Sequence, residues 1–418
     1  MTTELTNCNI INIGDEILSG HTINTNASFI SSALYDIGLY TRRISVISDD
    51  AGEIVSELEK GMKDAELIFI TGGLGPTSDD ITKRTLCSFF GFDLEFRHDI
   101  WEHILELFAK RGIIPDEVNK EQAQFPASER VKYLKNTAGT APGMHIETGE
   151  KHIFIMPGVP NEMRTMMMDV ILPYLKQDFS GDLYYRDINT TDIPESSLYS
   201  MLSAEKDYPF GCRIAYLPQG YGVTVRIKTT GDGSGRKLVD DAAERIAELA
   251  KDRIFAHSIV SPAHELVRLL KEKKMTLSSA ESCTGGLFAS SVTDVPGSSA
   301  VFSEGYITYS NDSKFRILSV NPQILVINGA VSEETVSEML DGMLAVTDSD
   351  IVCAVSGIAG PDGGTESKPV GTVYAGFCSR TEPEKFIRKY NFSGDRATVK
   401  RKAADKLAVE MVKFLGRS

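Results

Sequence analysis

Ser282 stands in the run Ala280-Glu281-Ser282-Cys283-Thr284-Gly285-Gly286, and Tyr309 and Lys314 follow in Tyr306-Ile307-Thr308-Tyr309-Ser310-Asn311-Asp312-Ser313-Lys314. No histidine lies beyond His264, so serine chemistry in the last third of the chain has no imidazole to use as a base. The natural replacement is a lysine held neutral by desolvation or by cationic neighbours, with a tyrosine beside it to relay protons or hold the amine in place. A helix opening at Thr284-Gly285-Gly286 directly after a strand would put Ser282 on a sharp turn with main-chain amides nearby, able to bind an oxyanion or a phosphate. A plainer reading makes these a strand-to-helix connection, a capping serine and a solvated surface lysine.

Two further segments carry candidates in the same third of the chain. Ser356-Gly357-Ile358-Ala359-Gly360-Pro361-Asp362-Gly363-Gly364 follows an apolar strand, a place where glycines such as Gly357 and Gly360 let a backbone approach a ligand closely. Phe392-Ser393-Gly394-Asp395-Arg396 opens the last helix, where exposed amides and Arg396 could hold a phosphate or simply form a cap.

Near the N-terminus the informative side chains are carboxylates. Asp15 and Glu16 stand in Gly14-Asp15-Glu16, and Asp79 and Asp80 close Gly72-Gly73-Leu74-Gly75-Pro76-Thr77-Ser78-Asp79-Asp80. Oxygen ligands of this kind suit a hard divalent cation that bridges phosphate oxygens, with Gly72, Gly73 and Gly75 admitting the ligand to the backbone. Acidic residues at a helix start also cap it and complement its dipole, which is the competing explanation for Asp79 and Asp80.

The elements that must position these residues alternate along the chain. The residues 8–13, 41–47 and 67–71 read as strands and 27–39 and 54–62 as helices, a βαβαβ order that implies a parallel, doubly wound sheet with ligands at the carboxyl ends of its strands. A hairpin is expected over 144–156 with Thr148-Gly149 at its turn, followed by a Met-rich helix to about residue 176. A composition shift at 177–182 introduces a small α+β segment with a helix over 194–202, a hairpin around Gln219-Gly220-Tyr221-Gly222 and an amphipathic helix over 235–251. Its Gly231-Asp232-Gly233-Ser234-Gly235 lacks the Lys-Ser/Thr ending of a phosphate loop and reads as a turn. Near residue 258 alternation resumes, with strands over 275–279 and 351–355 and helices from Thr284, over 333–346 and over 396–415. The expected organisation is residues 1–176, a connector over 177–258, and a second α/β domain over 259–418.

Composition narrows the class. With 418 residues, 42% hydrophobic and 24% charged, the chain has the make-up of a multidomain globular protein, and no apolar run approaches the ~20 residues of a membrane span. The first residues carry no basic and apolar leader pattern, and a cytoplasmic protein is expected. Six cysteines without CxxC spacing point to free thiols, neither disulfides nor a zinc site. A formal net charge of −14 opposes general nucleic-acid binding and leaves small anionic ligands held by local basic residues.

In order and spacing, the segments from about His264 onward resemble the nicotinamide mononucleotide amidase domain of the CinA (competence/damage-inducible) family. That resemblance implies Ser282 as nucleophile, Lys314 as its base, Tyr309 as relay or orienting partner, Ser299 in support and Arg396 on the mononucleotide phosphate. Thr284, Gly285, Gly286, Gly357 and Gly360 would line the same site. The implied reaction is metal-independent hydrolysis of the carboxamide through an acyl-enzyme. Gly14 to Gly20, Thr71 to Asp80, Asn136-Thr137-Ala138-Gly139-Thr140-Ala141-Pro142-Gly143 and Met156-Pro157-Gly158-Val159-Pro160-Asn161-Glu162-Met163 resemble the molybdopterin-binding-like domain of the same family. This implies a pyrophosphatase acting on ADP-ribose with Co2+ or Mg2+. Glu16, Asp79, Asp80 and Glu162 are its candidate metal ligands, and Gly14, Asp15, Gly72, Gly73, Gly75 and Thr77 its candidate nucleotide contacts. The middle segment is similar to the family's KH-type domain but lacks the GxxG loop with basic flanks, so RNA binding does not follow. A homodimer is also implied. The expected function is therefore bifunctional pyridine-nucleotide salvage; the alternative is a nucleotide- or pterin-binding regulator or scaffold linked to competence or DNA damage.

Overall fold

The computed structural model describes residues 7–77, 79–179, 184–229, 235–257, 261–382 and 384–416. The turn expected at 231–234 and the edges expected near 180–183 and 258–260 lie outside the described residues. The chain forms two compact units, one running to Tyr184 and the other starting at Tyr185. Among the described residues no helix is long and apolar enough to cross a membrane.

The first unit is built on a six-stranded sheet in the order Tyr40–Ile47, Asn7–Ile13, Leu67–Thr71, Lys151–Met156, Gly143–Thr148, Val131–Leu134. The first four strands run parallel, as the βαβαβ order over residues 8–71 implied, the expected hairpin sets Gly143–Thr148 antiparallel to them, and Val131–Leu134 pairs antiparallel at its edge. Both faces of the central strands are covered. Ile11, Ile13, Ile68 and Ile70 pack on one side and Cys8, Ile10, Leu67 and Phe69 on the other, which is why these strands read as continuous apolar runs. The Met-rich helix is interrupted: Pro160–Met166 passes through a π turn at Met167–Ile171 into Leu172–Asp178.

The second unit holds two sheets. An antiparallel one is ordered Arg213–Gln219, Gly222–Lys228, Tyr185–Thr190, Ile254–Ala256 and is flanked by helices Glu195–Ser203 and Arg236–Leu249. The other is ordered Phe302–Ile307, Leu277–Glu281, Ile351–Gly357, Thr372–Ser379, Phe386–Asn391, with the first three strands parallel. Helices Pro262–Lys273 and Arg396–Leu415 cover one face, and Glu333–Val346 covers the other. The connector belongs to this unit. Lys406 on the last helix donates from Nζ to Thr191 Oγ1 at 3.1 Å and to Asp192 Oδ1 at 2.7 Å, and pairs with Glu410 at 2.8 Å.

Candidate functional site

The strand Leu277–Glu281 ends inside the second unit, and Ser282 keeps its tie to the sheet by donating its amide to Val355 O at 2.9 Å. The chain then reverses, with Gly285 N donating to Ser282 O at 3.1 Å and both Gly285 (φ 63°) and Gly286 (φ 93°) left-handed, a conformation that excludes most side chains. Across the parallel strand pair, helix Asn311–Leu318 starts at the cap Ser310 and carries Lys314 inward, where it is fully buried.

Lys314 Nζ lies 3.0 Å from Ser282 Oγ, 2.8 Å from Thr308 O and 3.3 Å from Tyr309 O. Desolvation lowers its pKa to about 8, and the Cys283 thiol, pushed up to about 12 chiefly by its own burial, stays un-ionised and offers no counter-charge. A neutral amine has two N–H groups and one lone pair. With the two N–H groups on the carbonyls, the lone pair faces the Ser282 hydroxyl, the arrangement a general base requires.

The helix amides near Ser282 are not open to a ligand as the sequence suggested. The helix begins at Leu287, three residues later than expected, and Glu281 occupies its start. Buried Glu281 accepts from Gly286 N (3.0 Å) and Phe288 N (3.1 Å) through Oε2 and from Ala289 N (2.8 Å) through Oε1. A carboxylate with three main-chain donors is electrostatically satisfied and fixes the turn. No role was read for Glu281 in the sequence, although an acid just before a Gly-Gly helix start is a recognisable signal.

Tyr309 also departs from expectation. Its side chain is exposed and its hydroxyl accepts from Arg396 Nη2 at 3.1 Å, so the main-chain carbonyl of Tyr309 meets Lys314 and the phenol does not. Arg396, the first residue of its helix, also donates from Nη1 to Gly360 O at 2.7 Å, joining the glycine-rich loop to Tyr309. Gly357 abuts the Ser282 turn, where an added Cβ would lie 3.1 Å from Cys283 Sγ and 2.6 Å from Val373 Cγ2. Thr284 and Thr308 keep buried hydroxyls with no hydrogen-bond partner among the described residues. Ser299 is exposed on the turn Ser298–Ala300, and among the described hydrogen bonds none joins it to Ser282 or Lys314. Lys400, not singled out from sequence, brings Nζ within 3.7 Å of a Cβ position on Gly285.

In the first unit the carboxyl ends of all four parallel strands open into one cleft of about 520 Å³, lined by Gly14, Glu16, Asn26, Asp49, Gly72, Gly73, Gly75, Asp79, Asp80 and Glu162, among others. Asp15 and Thr77 support this lining and are not part of it. Asp15 N donates to Asp49 Oδ2 at 3.2 Å, and Thr77 donates to Asp80 Oδ2 from its amide at 3.0 Å and from its hydroxyl. Gly72 (φ 111°) presses on Ile13 O, which a Cβ would approach to 2.2 Å, and a Cβ on Gly75 would lie 2.4 Å from Asp80 Oδ2. Asp49, which the sequence reading passed over, has its pKa raised by burial, with the carboxylates of Asp15, Glu16 and Asp79 adding to the effect. Burial likewise raises Glu162, against a 2.6 Å hydrogen bond from Asn136 Nδ2.

Among the described residues the lining contains five carboxylates and no Lys, Arg or His. An anionic phosphate entering it must bring or find a cation, so the donor set fits a hard divalent ion. No three of these carboxylates place oxygens within 4.8 Å of one another among the described residues, so phosphate oxygens and water would complete the coordination. Asn26, with Nδ2 on Gly158 O at 2.7 Å and a buried Oδ1 that has no partner among the described residues, is a further polar contact in the wall.

Comparison with known proteins follows the same division. The family model described as CinA C-terminal domain matches residues 260–415, and the one described as probable molybdopterin binding domain matches residues 9–177. A CinA-like protein of Chloroherpeton thalassium is 39% identical over 97% of this chain and 98% of its own length. One of Chlorobaculum tepidum is 40% identical over 93% of each chain. The solved competence damage-inducible protein A of Klebsiella pneumoniae is 35% identical over 37% of this chain and 97% of its own, with a TM-score of 0.35.

Proposed function

The chain belongs to the CinA family, and from that premise we propose that it is a bifunctional hydrolase whose second unit removes ammonia from nicotinamide mononucleotide. The observation that carries this reading is the buried Lys314 amine 3.0 Å from Ser282 Oγ, with its N–H groups directed at two carbonyls. Ser282 Oγ attacks the carboxamide carbon while Lys314 Nζ accepts the hydroxyl proton. Collapse of the tetrahedral adduct breaks the carbon–nitrogen bond, the proton passes from Lys314 to the departing nitrogen, and ammonia leaves. Water then attacks the acyl ester, giving a proton to Lys314. The second collapse returns that proton to Ser282 Oγ and frees nicotinate mononucleotide. No step calls for a metal. Arg396, held by Tyr309 and Gly360, would meet the phosphate.

For the first unit we propose a metal-dependent pyrophosphatase acting on ADP-ribose. Its support is the cleft whose lining, among the described residues, holds five carboxylates and no Lys, Arg or His. Glu16, Asp49, Asp79 and Asp80 would hold the divalent ion, which would supply charge neutralisation of the diphosphate. Asn26 and the backbone at Gly72, Gly73 and Gly75 would seat the nucleotide. The family resemblance also implies a homodimer, which sedimentation of the full chain tests.

The deciding experiment measures ammonia release from nicotinamide mononucleotide with chelator present, for the parent chain and Ser282→Ala. Activity that survives the chelator and vanishes in the variant supports the amidase; a silent parent or an active variant rejects it.

A further inference from the structure

Strand pairing gathers three metal-ligating side chains on the first unit, away from the cleft. His145 and Glu147 are two apart on strand Gly143–Thr148 and so share a face, and Glu147 lies directly across from His152 at the start of strand Lys151–Met156. That strand reaches the cleft at its other end, where Met156 gives way to Pro157. Among the described residues this is the group whose potential ligand atoms all come within 4.8 Å of one another.

We propose that His145, Glu147 and His152 form a binding site for a borderline divalent ion such as Zn2+, with water as fourth ligand. His145 Nε2 and His152 Nδ1 are hydrogen-bonded at 3.0 Å, a proton between them that an ion would replace, and the separation is close to the roughly 3.3 Å spanned by two nitrogens bound tetrahedrally at ~2.0–2.1 Å to one zinc. The Glu147 carboxylate lies nearest the other ring nitrogen of His145, 3.8 Å from Nδ1, and has a ligand atom within 4.8 Å of one on each histidine. An aromatic shell surrounds the set, with Phe154 stacked 4.3 Å from the His145 ring, Phe179 at 4.9 Å from His152, and the Tyr174 hydroxyl 3.3 Å from His152 Nδ1. Apolar packing outside and a polar partner beside the ligands are the usual supports of a metal site.

Lys132 is the competitor. Paired in register with His145, it bonds to Glu147 and lies 5.7 Å from the Tyr174 ring, supplying the positive charge that an ion would bring. Ion binding displaces the ammonium, which swings into solvent. Ligand loss and loss of Lys132 therefore move affinity in opposite directions.

The test is Zn2+ titration of the metal-stripped full-length chain against a chromophoric chelator, with thermal melts confirming that each variant folds. His145→Ala and His152→Ala should weaken one equivalent of binding by on the order of 10–100-fold, and the milder Glu147→Gln by about 10-fold. Lys132→Met should tighten it several-fold, and Asp80→Ala in the cleft should leave it unchanged. Binding that persists in folded His152→Ala, binding abolished by Asp80→Ala, or a Lys132→Met chain that takes up no zinc overturns the proposal.

Discussion

The cleft of the first unit and the Ser282 turn of the second differ in how folding treats charge. The cleft presents five carboxylates to about 520 Å³ of open volume, and among the described residues no side-chain cation answers them there. At the Ser282 turn the buried ionisable groups are dealt with inside the protein: Glu281 has three amides, Lys314 is lowered to about 8 by desolvation, and the thiol of Cys283 is kept neutral by burial. One site is assembled by the fold alone, and the other is left for ligands to complete. If that contrast is right, the two sites fail differently, and variants separate them.

The largest effect belongs to the preassembled site. Ser282→Ala should cut ammonia release by on the order of 10⁴-fold or more while leaving AMP release from ADP-ribose intact. Lys314→Met should do the same and stabilise the fold. The lysine has its ordinary value of 10.5 in the unfolded chain and about 8 in the folded one, so the unfolded state holds more protons between those values. Stability therefore rises with pH through that window, and at neutral pH the full penalty of the buried group is present. A thermal melt that drops in folded Lys314→Met would contradict the desolvated amine. In the parent chain kcat/KM for the amidase should climb with pH and level off above about 8, as Lys314 loses its proton.

The cleft should fail more gradually. Asp80→Ala should lower AMP release by about 10²-fold and raise the metal concentration needed for half activity, because several carboxylates and the phosphates share the ion. Asp49→Asn should act in the same direction, and neither should change ammonia release. A chelator that silences both activities equally would erase the distinction between the sites.

How much of this was legible in the sequence depends on whether local pattern or distant geometry decides. The strands 8–13, 67–71 and 351–355 were readable because both faces are buried and the runs are apolar throughout, and the hairpin because Thr148-Gly149 interrupts two such runs. The pairing of Ser282 with Lys314 was suggested by elimination of histidine, which is a property of composition. The seat of Glu281 was not, since its side-chain direction follows from the left-handed Gly285 and Gly286 after it. Asp49 was missed because nothing near it in sequence is glycine-rich; only the parallel order of Tyr40–Ile47 beside Asn7–Ile13 brings it to the cleft. That Tyr309 meets Lys314 through its main-chain carbonyl and turns its phenol to Arg396 was hidden for a similar reason. Ile307 and Tyr309 face outward while Thr308 is fully buried, an alternation that an apolar Ile307 conceals.

Tyr309→Phe therefore gives the smallest effect and the finest test of the Ser282 site. The phenol bonds Arg396 and leaves Lys314 to two main-chain carbonyls, so its removal should loosen Arg396 without touching the proton path. The expected outcome is a KM for nicotinamide mononucleotide raised about 3-fold, with kcat and its pH dependence within about 2-fold of the parent, the pattern of lost uniform binding. Arg396→Ala should raise KM further, by roughly 10-fold, and adding Tyr309→Phe to it should cost little more, since the two side chains act through one contact. A Tyr309→Phe chain whose kcat falls 100-fold, or whose pH profile shifts, would return the phenol to the proton path. It would also mean that substrate binding turns Tyr309 inward, making the Ser282 site less finished by folding than its hydrogen bonds show.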